Sequence, residues 1–139
     1  MGNELGKMRE RVRDLPVLIV EDEAPLREST VAFFSKVFDR VVAAANGEEA
    51  LEHWAAEEFE VVISDIKMPG ISGIELLNEL RRKRPDLITI IFSGDIDDQI
   101  IDPEKVDLVL LKPVTIEDIK SLLECVIRKK GLEEWSDDN

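Results

Sequence analysis

Five short apolar runs punctuate the chain, at residues 17–20, 41–44, 61–63, 88–92 and 108–111. Each is too continuous for a strand exposed on one face, so the pattern predicts strands buried on both faces. Between them, apolar residues recur at helical spacing: Leu26, Phe33, Phe34 and Val37 over 25–38, Ala50, Leu51 and Trp54 over 47–56, and Ile74, Leu77 and Leu80 over 73–83. The last helical pattern is the clearest. Ile116, Ile119, Leu122, Leu123, Val126 and Ile127 make one stripe, Thr115-Ile-Glu-Asp118 opens it like a capping box with Asp in the Glu position, and Arg128, Lys129 and Lys130 suit its end before Gly131. Alternating strands and helices predict an α/β fold in which right-handed crossovers place helices on both faces of a parallel sheet.

That architecture turns order along the chain into position in space, because sites in such sheets lie at the carboxyl ends of the strands. The first run leads into Glu21-Asp22-Glu23, the third ends at Asp65, the fourth at Ser93 and the fifth at Lys112-Pro113. An aspartate attacking a phosphoryl group brings one anion against another, and a hard divalent cation with a nearby ammonium neutralises both. Singly, each residue has a plainer reading. Acidic residues after a strand are usually loop or cap residues, Lys-Pro and Ser-Gly usually mark turns, and Gly70 and Gly73 punctuate a turn. Four strand ends carrying the residue types of one reaction favour a metal-assisted phosphoryl acceptor at Asp65.

The 139 residues are 44% hydrophobic, with no shift in composition that would separate two cores. One domain is expected over 16–130, between a leader at 1–15 and an acidic tail at 131–139. A net charge of −13 argues against direct binding of nucleic acid, which requires a basic face. The single cysteine, Cys125, and the lack of a secretory segment or bilayer-length apolar run predict a cytoplasmic protein with no structural disulfide and no membrane insertion. Cys125 beside the last stripe reads as core packing, and lone His53 as a structural residue. Leu5, Met8, Val12 and Leu15 share one helical face, which fits a docking helix or a frayed leader; the leader is slightly favoured.

The segments Val20-Glu21-Asp22-Glu23, Ser64-Asp65-Ile66-Lys67-Met68-Pro69-Gly70-Ile71-Ser72-Gly73, Phe92-Ser93-Gly94 and Leu111-Lys112-Pro113 occur in that order. Through them the chain resembles the response-regulator receiver domains of two-component signalling, over roughly residues 16–130. The resemblance implies a flavodoxin-like, doubly wound five-stranded parallel sheet of order 2-1-3-4-5. It implies Asp65 as phosphoacceptor, with Glu21, Asp22, Asp65 and the backbone carbonyl of Lys67 holding Mg2+ or Mn2+. Ser93 and Lys112 would bind phosphoryl oxygens, and the Lys112-Pro113 bond would be cis. The implied partners are a histidine kinase or histidine phosphotransfer protein and a downstream protein, with the domain a regulatory phosphoacceptor and not an enzyme. With only nine residues after Lys130, a stand-alone receiver, or one cut from a longer protein, is expected.

Departures from the family pattern bear on regulation. Ser93 replaces the commoner threonine and Gly94 the commoner alanine, both compatible with phosphoryl binding. Val109 stands where many members carry Tyr or Phe, so an aromatic rotamer switch is excluded, and switching is expected through Ser93 and loop 94–98, with 94–105 mobile. Residues 94–107 are short for a helix with two loops, and Pro103 predicts an abbreviated one. Lys67 and Asp95 are expected at the mouth of the site, as a gating ion pair or as solvated side chains. Two other functions fit less well. A haloacid-dehalogenase-like phosphatase requires Asp-x-Asp, but Lys67 and Ala24 follow Asp65 and Asp22 at the second position. A phosphorylation-independent binding module is disfavoured because the acceptor, metal and lysine positions are all kept.

Overall fold

The computed structural model describes residues 2–94 and 106–132. Strands β1 (Val17–Val20), β2 (Val41–Ala44), β3 (Val61–Ser64), β4 (Ile88–Ser93) and β5 (Leu108–Leu111) form one parallel sheet in the order β2-β1-β3-β4-β5. Helices α1 (Gly2–Val12), α2 (Ala24–Phe34), α3 (Gly47–Ala56), α4 (Gly73–Lys83) and α5 (Ile116–Lys130) cover it. This is the flavodoxin-like α/β fold and strand order that the sequence implies.

Alternation along each strand explains the continuous apolar runs, since successive side chains enter opposite faces. Val17 and Ile19 join one cluster with Phe34, Ile63, Leu122 and Val126, while Leu18 and Val20 join the other with Leu76, Leu77 and Ile91. The first cluster lies under α1, α2 and α5, and the second under α3 and α4. All residues of β1, β3 and β4 are buried. The edge strands depart from the expected burial: residues 41–43 of β2 are half-buried and Leu111 of β5 is 52% exposed. An edge strand has a neighbour on one side only, and an apolar run does not record whether its strand is central or peripheral.

Helix ends are fixed locally. Ser72 and Glu75 form a reciprocal capping box on α4, Thr115 and Asp118 form the expected one on α5, and Gly131 closes α5 in the left-handed conformation. Helix α2 stops at Phe34, short of the expected 38, although Val37 and Phe38 stay buried in the following turn. That turn is held by α1: Arg9 Nε donates to the Lys36 carbonyl, and the Asp39 amide donates to the Arg13 carbonyl at 2.8 Å.

The leader, read from sequence as more frayed than docked, forms α1. Val12 is fully buried and Met8 nearly so, and Leu5 and Leu15 pack against the same cluster as α5. Arg13 also pairs with Asp39 at 3.2 Å. At the amino ends of the strands, Glu60 accepts from Arg84 and Lys130, and Asp107 accepts from Arg81 and Lys129, which ties α4 and α5 to the sheet. The abbreviated helix, loop 94–98 beyond Gly94, Asp95 and tail residue Trp135 fall outside the described residues. No helix among the described residues is long and apolar enough to cross a membrane.

Candidate functional site

Register brings the expected residues together. Val20 pairs with Ser64, and Ser64 with Ile91, so Glu21 and Asp65 leave adjacent strands side by side, and Ser93 ends the next strand. Asp65 is half-buried, and its Oδ1 accepts from the Ile66 amide at 2.7 Å. The Ser64 hydroxyl donates to the Asp65 carbonyl at 2.8 Å, and the Gly73 amide donates to the Ile66 carbonyl at 2.8 Å, so the start of α4 braces the turn. A Cβ on Gly73 would lie 1.8 Å from the Asp65 carbonyl oxygen. Gly73 is therefore a requirement of close backbone approach, more than turn punctuation.

Glu21 is buried, Asp22 exposed and Asp65 intermediate, and one carboxylate oxygen from each lies within 4.8 Å of the others. Glu21 is tightly held: Oε2 accepts from the Glu23 amide at 3.1 Å and Oε1 from Lys112 Nζ at 3.1 Å. Burial pushes the Glu21 carboxyl above the usual carboxylate range; the Glu23 amide and Lys112 oppose this without cancelling it, and the Asp65 charge adds to the rise. Three hard oxygen donors converging at a strand-end cleft suit Mg2+ or Mn2+.

Lys112 supplies the opposing charge. Its Nζ lies 3.8 Å from Asp65 Oδ2 and 5.1 Å from the centroid of the Phe92 ring, a cation–π contact that helps direct the ammonium inward. Its backbone amide donates to the Ser93 carbonyl at 2.9 Å, which joins the ends of β4 and β5, and the Lys112-Pro113 bond is cis, as the family pattern implies. Ser93 is buried. A cleft of about 310 Å3 is lined by Glu21, Asp22, Asp65, Lys67, Ser93 and Lys112, so the expected acceptor, metal-binding and phosphoryl-binding residues meet there. Lys67 is exposed at this cleft.

Several residues escaped the sequence reading. Arg27 grips the backbone carbonyls of Glu21 and Asp22, Phe92 faces the lysine, and Gly73 admits α4 to the acceptor turn. Of these, Arg27 carried a signal, as a cation in a helix's first turn runs against the helix dipole. Val109 is half-buried against the α4-side cluster. Cys125 is buried, and burial with the nearby Asp107 charge pushes its thiol up, away from reactivity. His53 sits half-buried on α3.

A family model described as the response regulator receiver domain matches residues 17–124. Among curated relatives, a probable transcriptional regulator, ycf27, of Guillardia theta is 34% identical over 115 residues, covering 81% of this chain and 45% of that protein. A cyclic di-GMP phosphodiesterase of Thermotoga maritima is 29% identical over 119 residues, covering 84% of this chain and 32% of that protein. The chain thus spans less than half the length of these relatives. Among solved structures, the response regulator protein TrrA from Thermotoga maritima, in complex with Mg2+–BeF, superposes with a TM-score of 0.70 at 28% identity, over 81% of this chain and 98% of that one. A response regulator receiver domain protein from Clostridium thermocellum gives a TM-score of 0.70 at 30% identity, over 85% and 98%. The chain belongs to the response regulator receiver domain family, the regulatory phosphoacceptor module of two-component signalling.

Proposed function

We propose that this domain is a phosphorylation-dependent switch in which Asp65 accepts a phosphoryl group from a histidine kinase or histidine phosphotransfer protein in the cytoplasm, and the phosphorylated form presents a changed surface to a downstream protein. The observation that carries this reading is the approach of Lys112 Nζ to within 3.8 Å of Asp65 Oδ2, beside the converging carboxylates of Glu21 and Asp22.

In the proposed transfer, an Asp65 carboxylate oxygen forms a bond to phosphorus as the donor's N–P bond breaks, its electron pair returning to the imidazole. Lys112 neutralises one phosphoryl oxygen and the Ser93 hydroxyl donates to another, and neither changes protonation state. Glu21, Asp22, Asp65 and the Lys67 carbonyl would hold Mg2+ or Mn2+, which when bound supplies charge neutralisation between the acceptor and the phosphoryl oxygens. TrrA, a structural neighbour solved in complex with Mg2+–BeF, supports the use of a metal by this domain. The test is incubation with acetyl phosphate, with and without Mg2+, followed by intact-mass measurement. One phosphoryl increment that requires the metal and vanishes with a chelator is expected; no increment, or one indifferent to chelation, contradicts the reading.

A further inference from the structure

Helix α2 begins directly behind the acidic turn, and its fourth residue reaches back over the helix's own start. Arg27 Nη1 donates to the Glu21 carbonyl at 3.0 Å and to the Asp22 carbonyl at 3.4 Å. Helical side chains lean toward the amino end, which makes this reach possible. The helix dipole opposes it, because the start of a helix repels a cation, while the neighbouring carboxylates of Glu21, Asp22 and Glu23 favour it; Glu23 at the cap makes no side-chain capping bond there. The sheet's own hold on the turn is the Glu21 amide bonding to the Ala44 carbonyl at 3.0 Å. Asp22 lies one residue beyond that bond and is exposed.

We propose that Arg27 is a positioning residue that selects for a small divalent cation: by gripping both carbonyls, it fixes the backbone from which the Glu21 and Asp22 carboxylates project. The inference rests on the proposed reading of those carboxylates as metal ligands. Mg2+ demands near-ideal octahedral geometry at about 2.0–2.1 Å, whereas Ca2+ tolerates irregular sets at about 2.3–2.6 Å. A rigid turn therefore benefits Mg2+ more than Ca2+. Two simpler roles predict other results. If Arg27 acted only through its charge, its removal would tighten both metals. If it were only a structural brace, its removal would weaken both alike.

The test is calorimetric titration of the full chain with Mg2+ and with Ca2+ for wild type, Arg27→Ala, Arg27→Lys and Asp22→Asn, alongside thermal unfolding in chelator. Loss of a residue that orients metal ligands commonly weakens metal binding by about 10-fold or more, and that loss is expected for Mg2+ with Arg27→Ala. Ca2+ affinity should fall by only about 3-fold or less, given its geometric tolerance. Arg27→Lys should lie between wild type and Arg27→Ala, since an ammonium can still donate to a carbonyl but lacks the planar, preorganised guanidinium that places Nη1 between the two. Should Arg27→Ala not fold, the Mg2+/Ca2+ ratio of Arg27→Lys decides. An unchanged ratio in the folded variants, or tighter Mg2+ binding, overturns the positioning role while leaving the switch reading intact. Wild type that binds Mg2+ no better than Asp22→Asn overturns the metal reading and this inference together.

Discussion

Lys112 Nζ donates a hydrogen bond to Oε1 of Glu21 at 3.1 Å, joining residues 91 positions apart at the carboxyl end of the sheet. The Glu21 side chain is 4% exposed and that of Lys112 19%, so the pair is largely withdrawn from water. Removing one partner leaves the other desolvated and unpaired. Lys112→Ala is therefore expected to destabilise the metal-free protein by about 2–3 kcal/mol, below the cost of breaking a fully buried pair because a carboxyl can take up a proton. Urea denaturation checks this through a lower midpoint at unchanged slope. A loss under about 0.5 kcal/mol, the range of ordinary surface substitutions, would show that Glu21 is satisfied without the lysine.

Gly73 and Gly94 should respond differently to the same substitution. A Cβ at Gly73 meets the Asp65 carbonyl at 1.8 Å and the Ser64 hydroxyl at 2.8 Å, whereas one at Gly94 meets nothing within 4 Å among the described residues. Gly73→Ala must push the acceptor turn away from α4, at a cost of about 2–3 kcal/mol, with slower phosphorylation. Gly94→Ala should stay within about 0.5 kcal/mol of wild type. Thermal unfolding and phosphorylation rates of the two variants separate these outcomes, and equal effects would contradict the packing argument.

Glu60 sets part of the acid sensitivity. Burial raises its carboxyl, but hydrogen bonds and charge from Lys130 and Arg84 outweigh burial and hold it below its ordinary value. A carboxyl lowered in the folded state contributes stability that is complete above the unfolded value, about 4.3, and is lost as pH falls through the folded value. Glu60→Gln should therefore cost about 1–2 kcal/mol at pH 7 and progressively less below pH 4. Denaturant midpoints from pH 7 to pH 3 measure this. A cost independent of pH would assign the loss to packing.

Helix α1 should contribute to stability without taking part in phosphorylation. Val12 is fully buried and Met8 nearly so, beside α5 and the turn after α2, away from the cleft. Met8→Ala is expected to cost about 2 kcal/mol, at the low end for a buried methionine because part of its surface stays accessible. Acetyl phosphate labelling at a temperature where the variant is folded should match wild type. Labelling that falls with stability intact would give α1 a role at the site.

The strand-end residues were legible because side-chain alternation and the parallel-sheet rule convert sequence order into location: Glu21, Asp22, Asp65, Ser93 and Lys112 needed only five strands to meet. The Thr115 capping box and Gly131 were legible because helix ends use few residue types. Arg27 offered only its unfavourable place in the first turn of α2, since its partners are carbonyl oxygens that every residue possesses. Gly73 read as a turn because its close neighbour is backbone. The stripe of Leu5, Met8, Val12 and Leu15 records a helical face but says nothing of a surface to receive it, which the turn at Lys36–Asp39 and α5 supply. Likewise, Leu111 belongs to an apolar run like those of the central strands, and its exposure follows from edge position.

Phosphorylation of Asp65 is tested most directly by locating the phosphoryl group by residue. After incubation with acetyl phosphate and Mg2+, borohydride reduction converts an aspartyl phosphate into homoserine, which tandem mass spectrometry places in the sequence. Homoserine at position 65 alone, absent when Mg2+ is chelated and absent from Asp65→Asn, is the predicted result. Homoserine at another aspartate in the wild type, or a phosphoryl increment retained in Asp65→Asn, would show that Asp65 is not the sole acceptor.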